Sequence, residues 1–312
     1  MNIKSITGSS KILIGGVPTI FVLIWSTGFI GAKMGLPYAE PFTFLAIRMV
    51  IAALLTCIMA IAFQAPWPTS LSIWGWTALV GLLLQGIYLG GIFYSISRGM
   101  PAAICALIVG MQPILTAIFV GPLLGESVSK RQWYGLITGI FGIGIVLAPG
   151  ANITENIDGI GITMSILSLF GITLGTIVQK RFIPLSDFRS GGTIQFFVAS
   201  IFFITIACIF ETRDIQWSSE FIFALSWLVL ALSLGAISIM FVLIRIGAAA
   251  SFASLFYLVP PVTALIAWWF FDEQLTAHTL LGIGLTGLGV WLVMKKTNSL
   301  PPPLKKLCKQ SL

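Results

Sequence analysis

A chain of 312 residues of which 57% are hydrophobic and 9% charged has too little polar surface to cover a water-soluble globule. Its mean hydropathy of +1.03 calls for lipid as solvent, and the formal charge of +7 reads as membrane orientation rather than a nucleic-acid patch. Cys57, Cys105 and Cys208 lie in apolar runs and Cys308 in a basic tail, a pattern of free thiols and not of a disulfide framework.

A bilayer core takes about 20 apolar helical residues, and runs near that length fill the chain. The first, at 12–32, follows Lys4 and Lys11 without a persuasive small-residue cleavage site, so it is expected to stay as a helix. Next come 42–63, 73–96, 102–124 and 132–148, then 159–178, 192–210, 222–244, 249–271 and 279–294. The expected fold is an all-α membrane protein of about ten transmembrane helices, with connections too short for a soluble domain. The fifth and tenth spans are glycine-dense (Gly135, Gly139, Gly142 and Gly144; Gly282, Gly284, Gly287 and Gly289), which suits close helix contact at the bundle edge or in a homodimer. With a cytoplasmic N-terminus, most basic residues, among them Lys130, Arg131, Lys180 and Arg181, fall on one side. That bias places both termini in the cytoplasm.

Adding 147 to a first-half number lands on a matching residue without a gap: Gly28 on Gly175, Lys33 on Lys180, Arg98 on Arg245, Pro113 on Pro260 and Glu126 on Glu273. Residues 1–148 and 149–294 therefore read as two copies of one five-helix unit, and 295–312 as a basic cytoplasmic tail. An odd number of spans per copy inverts the second relative to the first, the architecture of many secondary transporters.

Arg48 is the one unambiguous charge inside a span, about 10 Å deep at 1.5 Å per residue. It must face protein or a water-filled cavity, where it either attracts an anionic group of a solute or ties helices together. Gln85 and Tyr88 share a helical face with no polar mates at Leu232 and Gly235, so they line a cavity or satisfy a neighbouring helix. The same two readings hold for Gln112 and Tyr257, and Gln195, the neutral mate of Arg48, is a further cavity candidate. Trp25, with Ser26 and Thr27, either faces the cavity or packs against lipid with the hydroxyls bonded back to their own helix. Pro113, Pro260 and Pro261 should kink their spans, either as gates or as packing irregularities. Glu126 and Glu273 sit at helix ends, with Lys33 and Lys180 near others; all four read as structural charges, and Ser129 with Gln132 as a capping box.

No Gly-rich phosphate loop, Ser-His dyad, aspartyl pair or His/Cys cluster occurs, so nothing points to an enzyme, cofactor or metal. Trp25 to Phe29 with Lys33, Pro41 with Arg48, and Glu126 and Glu273 before Gly-rich helices together resemble the drug/metabolite transporter superfamily, in its ten-helix EamA-type branch. That resemblance covers essentially the whole chain. It implies two inverted five-helix units around a central cavity, exporting small organic metabolites such as amino acids; the lack of a long targeting segment fits a bacterial inner membrane. The expected partners are a small-molecule substrate and the lipid bilayer, with no nucleic acid. A non-transporting lipid-binding or signalling module, or a passive channel, is the alternative.

Overall fold

The computed structural model describes residues 6–100, 102–125, 128–146, 159–246, 252–271 and 277–294. Helix α1 (Ile6–Gly35) and α2 (Pro41–Ala62) are followed by α3 (Leu71–Ser97). Two shorter helices, α4 (Ala102–Gly110) and α5 (Gln112–Leu124), precede α6 (Lys130–Val146). Then come α7 (Gly159–Phe182), α8 (Phe188–Phe210) and α9 (Ser219–Arg245). A 3-10 segment (Ser254–Leu258) leads into α10 (Val259–Phe271), and α11 (Ala277–Met294) closes the order. Among the described residues six helices are long and apolar enough to cross a membrane, and three shorter apolar ones accompany them.

Exposure confirms what solvates the bundle. On α2, Leu54, Ile58 and Ile61 are 58%, 62% and 68% exposed, a stripe at helical spacing facing outward. The other face buries Leu45, Met49 and Ala52. An apolar stripe of this kind is a liability in water and the ordinary outer surface of a bundle in lipid. The chain is an integral membrane protein.

Helix ends follow from local chemistry. Pro41 opens α2, where its fixed φ and missing N–H cost nothing. The Glu211 carboxylate, from beyond the end of α8, accepts from Phe42 N (2.8 Å), Thr43 N (2.6 Å) and Thr43 Oγ1 (2.7 Å). Glu40 reciprocates by accepting from Thr212 N, Thr212 Oγ1 and Arg213 N at 2.7–3.1 Å. Ala39 bridges Ile215 beside them. At the other end of the same pair, Ser190 Oγ donates to Pro66 O at 2.6 Å. The start of α2 thus meets the end of α8 and the reverse, so these helices run antiparallel. Ser129 and Gln132 form the reciprocal cap, with Ser129 N to Gln132 Oε1 at 2.9 Å and Gln132 N to Ser129 Oγ at 3.3 Å.

The glycine faces of α6 and α11 meet inside one chain. A Cβ built on Gly135 would stand 2.7 Å from Gly289 O, and one on Gly289 would stand 2.8 Å from Gly139 N, so only glycine lets these backbones touch. Arg131 Nε donates to Leu292 O at 3.0 Å, which makes this pair antiparallel too. Of the glycines predicted to meet at an edge or between protomers, Gly135, Gly139 and Gly289 are engaged within the chain, whereas Gly144, Gly284 and Gly287 have open space beside them.

The prolines act differently from the sequence-based expectation. Pro113 does not bend a continuous helix: the helix breaks at Met111, and Pro113 lies in the first turn of α5. Pro260 and Pro261 likewise lie in the first turn of α10, after the 3-10 segment. A first turn needs no proline N–H, whereas a mid-helix proline would orphan a carbonyl. A second irregularity has no proline at all. Helix α3 changes to π geometry over Leu82–Tyr88 and α9 over Leu228–Ala236. Such i→i+5 stretches collect at functional sites.

Candidate functional site

The first π stretch carries Leu84, Gln85 and Tyr88, the second carries Leu232, and all four line one cavity with Trp25, Phe29 and Arg48. Phe93, Ile237 and Met240 complete the wall near Arg48. The space within it is about 30 Å³, enough for one or two waters and too small for an organic solute.

Arg48 is 3% exposed. Its Nε donates to Ser233 Oγ at 3.1 Å, and its guanidinium carbon lies 6.0 Å from the Phe93 ring centre, a cation–π distance. Among the described residues no carboxylate lines the cavity. A guanidinium at this depth costs about 2.5–3.5 kcal/mol on insertion scales. A hydrogen bond to a charged group contributes about 1.5–3 kcal/mol and a desolvated cation–π contact about 2 kcal/mol, so Ser233 and Phe93 are of the size to offset that cost. Gln85, 1% exposed, has no protein partner for either Nε2 or Oε1. Each such atom costs about 1–3 kcal/mol. A donor, an acceptor and a cation thus converge on one space walled by rings: Trp25 stacks on Tyr88 at 6.1 Å and 12° and meets Phe256 edge-on at 5.4 Å.

Trp25, Arg48, Gln85 and Tyr88 are brought together, and three other residues are not. Gln112 Nε2 donates to Thr176 Oγ1 at 3.4 Å, between α5 and α7. Gln195 is buried on α8, where its backbone fills the space beside Gly81, and its amide atoms have no protein partner. Tyr257 donates from its hydroxyl to Leu136 O at 3.0 Å, with its ring against Gly139. In this conformation it joins the α6–α11 contact. Ser26 and Thr27 bond back to Val22 O and Ile24 O at 2.8 and 2.6 Å, the hydroxyl behaviour expected of a helix. Lys33 stands in the last turn of α1 and Lys180 in that of α7. Glu126 and Glu273 lie outside the described residues. Ser233 and the π stretches left no sequence signal, because neither requires a special residue type.

Comparison with known proteins places this geometry in a family. An EamA-like transporter family model matches twice, at residues 16–148 and 159–295. An uncharacterized transporter of Bacillus subtilis, YvbV, is 29% identical over 287 residues, covering 89% of this chain and 90% of that protein. An uncharacterized inner membrane transporter of Escherichia coli, YedA, is 26% identical with 90% of each covered. A probable amino-acid metabolite efflux pump of Escherichia coli is 22% identical, covering 89% and 93%. One crystal structure superposes with a TM-score of 0.70 at 16% identity, covering 89% of this chain and 96% of that one, which shows a shared fold. Family and relatives are transporters and not enzymes. With its duplicated match, lipid-facing helices and polar cavity inside the bundle, the chain belongs to the EamA-like transporter family.

Proposed function

We propose that the chain is a secondary carrier that exports small organic metabolites, amino acids among them, by alternating access of two inverted five-helix units. The observation that carries this reading is the convergence of Arg48 and the unpartnered Gln85 amide on one cavity within the bundle. A carboxylate of the solute would take the guanidinium, and the Trp25 and Tyr88 rings would hold an apolar body. The amino-acid suggestion draws support from a relative's name, a probable amino-acid metabolite efflux pump. With no carboxylate on the cavity wall, exit down a gradient or exchange fits better than coupling through a protonated acid.

Inversion is supported by the two antiparallel contacts between repeat mates, α2 with α8 and α6 with α11. It is also supported by helix bounds that recur at an offset of 147, as α5 and α10 do. The basic ends of α7 and α9 favour both termini in the cytoplasm, and the name of a relative, an inner membrane transporter of Escherichia coli, supports a bacterial inner membrane. A homodimer through α6 and α11 would use Gly144, Gly284 and Gly287, which have open space beside them.

Purified protein in lipid vesicles should carry a radiolabelled amino acid or related metabolite with saturation and counterflow. Flux that is linear in concentration and lacks counterflow would identify a channel. A broad panel without flux would favour a lipid-binding or signalling module.

A further inference from the structure

A second polar track lies apart from the cavity, in the seam between α5 and α7. Two contacts pin the seam: Gln112 Nε2 to Thr176 Oγ1 at 3.4 Å, and Arg181 Nη1 to Leu123 O. Between the pins, Thr116 stands one turn beyond Gln112 and Gln179 one turn beyond Thr176, each on its partner's face. Gln112, Thr116 and Gln179 are at most 2% exposed. Gln112 Oε1, Thr116 Oγ1 and Gln179 Oε1 have no hydrogen-bond partner in the protein.

Three sealed, unpartnered polar atoms in one seam are out of place in a contact built only for stability, where buried polar groups are paired. Nor does the seam follow from duplication. The repeat mates of Gln112, Thr176 and Gln179 are Val259, Phe29 and Ala32. Of the four only Thr116 recurs, as Thr263, which is buried and likewise without a partner, so three of the four polar positions belong to one half. A second observation supplies the means of opening it: the helix is interrupted at Met111, and the Pro113 turn restarts it. Helix α5 can therefore swing about that point without breaking a continuous hydrogen-bond ladder.

We infer that this seam is the closed half of the solute's route, resting on the carrier reading above. When α5 swings away from α7, Gln112, Thr116, Thr176 and Gln179 become the wet lining between the cavity and the Lys180–Arg181 end. These side chains are uncharged donors and acceptors, so they pass a polar head group along by hydrogen bonds without trapping it as an ion pair would. The ligand class is the hydrogen-bonding head of the same solute that meets Arg48.

Cysteine replacements of the full chain in lipid nanodiscs test this, with a water-soluble, charged methanethiosulfonate as probe and the native cysteines replaced by serine or alanine. Ala117 is the control: it is 6% exposed and packs in the cluster of Leu136 and Tyr257 rather than in the seam. Thr116→Cys and Gln179→Cys should react at least ten times faster than Ala117→Cys. Thr116→Val and Gln179→Leu, which keep volume and remove polarity, should lower transport turnover at least five-fold with an unchanged or raised melting temperature. Labelling no faster than the control, or full turnover in both polar-to-apolar variants, overturns the seam while wild-type flux leaves the carrier standing. Absence of wild-type flux for every solute overturns the carrier and the seam together.

Discussion

At the scale of single residues, Arg48 is the side chain on which transport should turn. A hydrogen bond to a charged group contributes about 1.5–3 kcal/mol, so Arg48→Ala should lower the initial rate of flux by about 10- to 100-fold in vesicles. Arg48→Lys should recover part of that for an anionic solute, because a point charge replaces the fork. If Arg48→Met transports as well as wild type, the guanidinium only bridges α2 to Ser233. Gln85→Leu separates binding from stability. Removing two unpartnered buried atoms should hold or raise the melting temperature, whereas solute affinity should fall. Both residues were legible in the sequence, one as a charge within a span and the other as polarity lacking a repeat mate.

At the scale of elements, the Glu40 and Glu211 clamp joins the start of α2 to the end of α8. Losing a cap typically costs about 0.5–2 kcal/mol, and Glu211→Ala should lower the melting temperature accordingly. Burial, the largest single influence, raises the Glu40 pKa, but the donors of Thr212 and Arg213 together outweigh it and hold the carboxyl below its ordinary 4.5. A depressed carboxylate stabilises the fold above its unfolded value, and that contribution is lost as pH falls through the folded one. Thermal melts should therefore show stability declining below about pH 4.5, with a shallower decline in Glu40→Gln. The α6–α11 contact is stricter. Gly135→Ala forces a Cβ to within 2.7 Å of Gly289 O, and overpacking of this kind costs about 1–3 kcal/mol. Unchanged stability in that variant would mean the two helices can part cheaply. Neither the clamp nor the π stretches could be anticipated, since Glu211 is distant in sequence from the helix it caps and π geometry has no residue signature.

At the scale of the whole molecule, opposite insertion of the two units has a direct readout. Cysteines at positions 33 and 180 should label from opposite faces of the membrane, and labelling from one face would remove the inverted duplication. The run lengths, the recurring scarce residues and the basic bias made the helical segments and the repeat readable from the sequence alone, because lipid imposes length and composition on each span separately. Rotation of a helix about its axis answers to no such local rule. Gln112, Gln195 and Tyr257 matched Arg48 and Gln85 in type and depth, yet packing turned Tyr257 onto Gly139 and Gln112 onto Thr176. Composition and periodicity determined that this chain lives in a membrane as a duplicated helical bundle. Only tertiary structure decided which polar side chains share a cavity, because a helix face acquires its neighbours from the shapes of the helices that pack against it.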